Sequence, residues 1–151
     1  MNLLPRRSLL AVAAVIDIAH HARPAPIAAK TLAARHSLPP RHLETLLQVL
    51  VRASILKGVR GPRGGYELAR ERRKITVAEI IRAASGPGQG GGEDDDGEDS
   101  ALVRSVVVPA IEAATLAFLD RLEEITVEDL CDSALKHRVF GDSLPNYDFT
   151  I

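Results

Sequence analysis

Apolar residues recur along the chain at three- and four-residue intervals, in stretches separated by proline, glycine or charge. Leu9, Val12, Ala13, Ile16 and Ala19 share one face of a helix from about Ser8 to Ala22. It stops at Pro24 and Pro26, because proline lacks an amide donor and disfavours helix before it. A helix over residues 27–35 follows, with Ile27, Leu32 and Ala33 facing inward. The connection HSLP leads to a third helix opened by Pro39 and Pro40, whose fixed φ suits a first helical turn. Its inner stripe is Leu43, Leu46, Leu47 and Leu50, and it reaches about Ala53. From Ile55 to Ala69 the pattern becomes ILKGVRGPRGGYELA, two short extended pieces around a loop with Gly61, Pro62, Gly64 and Gly65, which is the signature of a β-hairpin.

Thr76-Val77-Ala78-Glu79 is a capping box that starts a short helix to about Ser85. The stretch GPGQGGGEDDDGED then lacks any aliphatic or aromatic side chain and reads as a flexible loop over 87–100. Leu102 to Leu122 is the longest periodic segment, with Val103, Val107, Ile111, Ala114, Phe118 and Leu122 on one strip and Val106, Ala110, Ala113 and Ala117 beside it. So wide an apolar face exceeds what one small domain covers, and a helix of this kind commonly buries itself against a partner copy. Pro109 inside it must kink the helix or mark a late start. Thr126 and Asp129 repeat the capping signal and open a last helix to about Lys136, before a frayed or docked tail ending in PNYDFTI. The predicted organisation is mainly α with a small β-hairpin: a first unit over 1–86, the loop over 87–100, a long and a short helix over 101–138, and the tail over 139–151.

Charge changes this picture more than composition does. The formal net charge is only −1, but residues 1–92 carry fifteen basic and five acidic side chains, while residues 93–151 carry four and fifteen. Within 35–74 there are ten basic and three acidic residues, a net of +7. Such a split points to an N-terminal part that binds a polyanion and a C-terminal part with another task. Three helices in quick succession followed by a glycine-turned hairpin are the parts of a winged helix-turn-helix, whose third helix enters the major groove of DNA while the wing lies over an adjacent groove or backbone. Arg60 and Arg63 stand at the wing tip, and an arginine on a tight turn can enter a narrow minor groove.

The stretch LETLLQVLVRASILKGVRGPRGGYELARERRKITVAEIIRAASG resembles, nearly position for position, the wing signature of the Rrf-type regulators, the bacterial group that includes IscR, NsrR, RirA and CymR. The resemblance covers about Arg7 to Gly86, and the long apolar helix fits the family's dimerisation helix in kind. It implies a homodimeric DNA-binding transcription factor, usually a repressor, on palindromic operators. By position it implies base reading by Arg41, His42, Glu44 and Thr45, minor-groove entry by Arg60 with Arg63 beside it, and a wing shaped by Gly61, Gly64, Gly65 and Tyr66. Dimerisation falls to Val103, Val107, Ile111 and Phe118.

Sensing members of the family hold an iron-sulfur cluster on three cysteines in the loop before the dimerisation helix. Here that loop has no cysteine, and the single Cys131 cannot hold a cluster that ordinarily takes four ligands, so no iron-sulfur cofactor is expected. Cys131 reads as a small buried hydrophobe or as a redox-reactive thiol. Asp94 to Asp99 lacks the spacing of a calcium loop, so the acidic run reads as a solvated linker or as a competitor for the basic face. His20 and His21 point apart on a helix, and His36, His42 and His137 have no evident partners; no metal site and no set of nucleophile, base and orienting group emerges, so an enzyme is not expected. The paired arginines before an apolar run mimic an export signal, but Asp17 interrupts the run and no small-residue cleavage site follows, so a cytoplasmic protein with no membrane partner is expected. A winged-helix module that binds an acidic protein remains the rival to DNA binding.

Overall fold

A computed structural model describes residues 3–86 and 100–141; the loop residues 87–99, with the acidic run Glu93–Asp99, and residues 142–151 lie outside the described residues. Helix α1 (Arg6–His21) buries Ser8, Ala11, Ala14, Val15, Asp17 and Ile18. Its core face is therefore rotated from the expected one: Leu9 is exposed, and Val12, Ile16 and Ala19 are only partly buried. Every position from Leu9 to Ile16 is apolar, so periodicity alone cannot choose a face. The choice falls to Asp17, which turns inward because it finds partners there.

Those partners join α1 to α2 (Ala29–Arg35) and the turn after it. Asp17 Oδ1 accepts from His21 Nδ1 at 2.8 Å and from Arg35 Nη1 at 2.5 Å, and Oδ2 accepts from His36 Nε2 at 3.0 Å. A carboxylate only 2% exposed is tolerable when its lone pairs are engaged and a guanidinium balances its charge. His36 thus has a partner that its sequence neighbourhood did not reveal.

The expectation that Ile27 belongs to the second helix is corrected. Ile27 is extended and pairs with Tyr66, donating to its carbonyl at 3.0 Å and accepting from its amide at 2.8 Å. Pro24 and Pro26 keep this segment out of helical φ/ψ, and Ile27 covers a strand edge that would otherwise be open. Helix α3 (Pro40–Arg52) buries Leu43, Leu46, Leu47 and Leu50, as its pattern predicts. Both α2 and α3 end on a serine in left-handed conformation, Ser37 (φ 52°) and Ser54 (φ 58°). The following amides, Leu38 and Ile55, reach back to Ala33 and Leu50 at 3.0 Å, which satisfies terminal carbonyls and fixes the chain's exit direction.

Strands β1 (Leu56–Val59) and β2 (Gly65–Leu68) pair antiparallel, with Leu56 opposite Leu68 and Gly58 opposite Tyr66. After a short 3-10 turn at Arg72–Lys74, α4 (Val77–Ser85) starts at the predicted capping box: Thr76 Oγ1 accepts from the Glu79 amide at 3.2 Å, and Glu79 Oε2 accepts from the Thr76 amide at 2.9 Å.

The long helix is interrupted by a π turn at Val103–Val107, where the Val108 amide bonds the Val103 carbonyl five residues back, and continues as α5 (Val108–Glu123). The wide turn lies directly before Pro109, which has no amide to donate to the preceding turn. Helix α6 (Val127–Lys136) starts at the second capping box, Thr126 with Asp129. The two capped starts lie side by side: Val77 donates to Ile125 at 2.8 Å and Val127 to Ile75 at 2.9 Å. Val127 and Cys131 of α6 consequently share one apolar cluster with α1, α3 and the hairpin. No helix among the described residues is long and apolar enough to cross a membrane.

Candidate nucleic-acid interface

Burying the leucine stripe of α3 turns its opposite face outward, and Arg41, His42, Glu44 and Thr45 are all exposed there. Thr45 Oγ1 donates to the Arg41 carbonyl at 3.1 Å, a bond within the helix. Gln48, three residues after Thr45 and four after Glu44, lies on the same exposed face. Sequence reasoning passed over it, although its spacing was the available signal.

The wing rises beside this face. Its tip, Arg60 to Arg63, is exposed and closes with the Gly64 amide donating to the Gly61 carbonyl at 2.9 Å. Gly61 has φ 114°, which strains any side chain. A Cβ on Gly64 would fall 2.2 Å from the Val59 carbonyl oxygen, and one on Gly65 would fall 2.3 Å from that of Ile27. These glycines let the hairpin fold tightly and lie against the segment before α2. Tyr66 is buried at the base of the wing, where a cleft lined by Glu44, Gln48, Val59 and Arg60 separates hairpin from helix.

Charge pairing sharpens the site. Much of the positive charge in 35–74 is internally balanced: Arg35 by Asp17, Lys57 by Glu67 at 2.9 Å, Arg70 by Glu79 at 3.0 Å and Arg73 by Glu71 at 2.6 Å. Among the described residues Arg41, Arg60 and Arg63 have no carboxylate partner. Arg52, Arg72 and Lys74 of this stretch likewise form no ion pair among the described residues, so the cations without a carboxylate partner include those on the outer face of α3 and the wing tip but are not confined to them. A second groove, between α1 and the start of α3, sets Arg6 and Arg7 beside His42 and Thr45.

The residues expected to dimerise stand apart from this face. Val103 is half-buried in the π turn, while Val107, Ile111 and Phe118 are exposed, and α5 contains no buried residue in the single chain. Leu102, Val106, Val108 and Leu116 are exposed as well, so apolar side chains stand on more than one side of this helix. Cys131 is 1% exposed, and burial pushes its thiol pKa up, which suits the reading as a small core residue.

A sequence model of the Rrf2 family, described as iron-dependent transcriptional regulators, matches residues 4–133. IscR of Xenorhabdus nematophila, an HTH-type transcriptional regulator, is 35% identical over 80 residues, 53% of this chain and 49% of its own length. The chain spans about half the length of the curated relatives it matches. Among solved structures, IscR of T. potens superposes with a TM-score of 0.71 at 29% identity, over 98% of this chain and 96% of that one. CymR, the global cysteine regulator of B. subtilis, gives 0.63 at 28% identity, over 88% and 98%. These relatives are transcriptional regulators and not enzymes. Among the described residues no donor set fits the iron named in the family description. The sequence holds one cysteine, which is buried, and His21, His36 and Asp17 are turned on one another in hydrogen bonds. No group of three or more His, Cys, Asp or Glu among the described residues is arranged to hold a metal ion.

Proposed function

The chain belongs to the Rrf2 family of transcriptional regulators, and from that premise we propose that it is a homodimeric, DNA-binding repressor of palindromic operators that works without an iron-sulfur cluster. The observation that carries this reading is the coincidence of the exposed face of α3 with the wing arginines that lack carboxylate partners. In this reading α3 enters the major groove, with Arg41 on a guanine edge and Glu44 accepting from cytosine, while His42 and Thr45 contact neighbouring positions. Arg60 enters the adjacent minor groove, and Arg63 neutralises backbone phosphate. Two chains join through the Val103, Val107, Ile111 and Phe118 strip. Their two-fold symmetry sets the half-sites about one helical turn apart, or a multiple of it. Repression follows from steric occupation of the site and requires no chemistry.

Selection of bound duplexes from a random DNA pool at moderate salt tests the proposal. Recovery of a palindromic site supports it. Retention of all sequences alike, or preferential binding of an acidic protein over any duplex, would replace it with the protein-binding alternative. Protein purified without oxygen is expected to show no visible iron-sulfur absorption, and stoichiometric iron with sulfide would refute the cluster-free part.

A further inference from the structure

Tyr66 is the point at which three parts of the reading unit meet. Its backbone pairs with Gly58 across the hairpin and with Ile27 on the other edge, so the segment before α2 and both wing strands are tied together there. Its ring is buried, and its hydroxyl emerges into the cleft beside α3, where Gln48 Nε2 donates to it at 3.3 Å. Among the described residues this is the one side-chain hydrogen bond between α3 and the hairpin strands. Arg60 lies two residues beyond Gly58, the partner of Tyr66, and Glu44 lies one turn before Gln48. The bond therefore links the wing, one residue pair before its loop, to the helix face that carries the proposed base-reading residues.

The backbone pairing with Ile27 holds the β2 edge of the hairpin, whereas toward α3 its strands have only the Gln48 side-chain hydrogen bond among the described residues. A protein that must place a helix and a wing in adjacent grooves together gains affinity when the spacing is already set. Gln48 is exposed and is not required by the core, so a packing role does not account for its contact. We propose that Gln48 is a positioning residue that fixes the wing at the spacing from α3 at which Arg60 and Arg41 engage DNA together. This rests on the DNA-binding reading above.

The test uses the full chain and a duplex selected by the wild-type protein. Gln48→Ala keeps a good helix former at an exposed site, so folding and melting temperature should hold. It should weaken operator binding by about three- to tenfold, the range for one lost hydrogen bond. As the wing arginine disengages, the slope of log affinity against log salt should fall by about 0.9. Arg60→Ala should cost much less in the Gln48→Ala background than in the wild type. Tyr66→Phe should reproduce the Gln48→Ala loss, and the double variant should be no worse than either. Multiplicative losses for Gln48→Ala and Arg60→Ala, with the salt slope unchanged, would overturn the proposal. So would a Gln48→Ala effect confined to one base pair that Tyr66→Phe does not share, since Gln48 would then be reading a base. If Arg41→Ala and Arg60→Ala both leave affinity intact, the DNA-binding reading itself has failed.

Discussion

Helices α3 and α5 are both periodic and leucine- or valine-rich, yet they meet opposite fates in the single chain. The apolar stripe of α3 is entirely covered by its own fold, and the polar remainder faces outward as the proposed reading surface. α5 is apolar nearly all round and has no buried residue. It is anchored only near its end, where Leu119 and Leu122 are half-buried, Arg82 pairs with Glu123, and Thr76 Oγ1 donates to Glu123 at 3.1 Å. Periodicity tells which side of a helix is apolar, but not which molecule covers it. A helix with one clean stripe carries its answer within the chain; for one with an apolar surface all round, the proposed dimer would supply the cover.

Mutations that treat the two helices alike should separate them most strongly. Leu47→Ala in α3 should cost about 2–5 kcal/mol of folding stability, a large share of a marginal total, measured by urea unfolding. Ile111→Asp in α5 should leave the single chain folded by circular dichroism and convert the dimer to monomer in sedimentation, with loss of tight operator binding. A wild-type chain that sediments as a monomer at micromolar concentration would end the comparison, because the exposed face of α5 would then need another explanation.

The next effect tests what holds α1 against the helix-turn-helix. Asp17→Ala leaves Arg35 and both imidazoles without their shared acceptor. It should cost about 3 kcal/mol, toward the lower end for breaking a buried pair because Arg35 keeps access to water. Asp17→Asn, which keeps an acceptor without the charge, should cost less. Equal unfolding midpoints for the wild type and Asp17→Ala would show that apolar contacts alone set the α1–α2 joint.

Most of the architecture was legible because local signals agreed with the tertiary outcome. The prolines ended α1 and opened α3, the capping boxes at Thr76 and Thr126 started α4 and α6, and the glycines of the wing matched their turn. The failures share a cause. The face of α1, the extended Ile27 and the partner of His36 are all decided by contacts between distant residues, and Asp17 looked in sequence like an interruption of an apolar run. At the candidate site, the exposure of Arg41, His42, Glu44 and Thr45 follows from the leucine stripe, whereas their proposed base-reading role comes from the family resemblance. Gln48 was missed because its contact, Tyr66, lies on another element. The π turn before Pro109 answers a question the sequence posed but did not resolve.

On the outer face of α3 and the wing the expected losses are smaller and differ in kind. Arg41→Ala should cost about 1–3 kcal/mol at one base pair and relax preference there, since a bidentate guanine contact carries sequence information. Arg63→Ala should weaken all duplexes similarly and lower the salt slope by about 0.9, as loss of one phosphate contact does. Binding titrations against the selected site and one-base variants at two salt concentrations distinguish them. If both arginines behaved as non-specific contacts, α3 would lie along the backbone and not in the groove.

The smallest effect is a pH dependence of the joint on which α3 is mounted. His20 stacks on Phe140 with ring centroids 4.3 Å apart and meets His21 edge-on at 4.6 Å. Burial first, and then the neighbouring His21, hold its pKa below the ordinary 6.5; Asp17 pulls it upward, and Arg72 and Arg35 push it down again. The unfolded chain thus takes up this proton at higher pH than the folded one. The contribution to stability is complete above about pH 6.5 and is lost as pH falls below that value toward the folded pKa. The capping carboxylates act in a lower window. Burial raises Glu79, but the Thr76 amide and Arg70 outweigh it, and the Thr126 amide lowers Asp129. Their contributions are complete above the ordinary 4.5 and 3.8 and are lost as pH falls through the lower folded values. Urea midpoints measured from pH 7.5 downward should therefore show a shallow loss beginning near pH 6.5 and a second below about pH 4.5. His20→Asn should remove the first and spare the second, whereas Glu79→Gln should spare the first and reduce the second to the part that Asp129 contributes. An unchanged upper loss in His20→Asn would show that the Phe140 stack is not the proton-sensitive part of the joint.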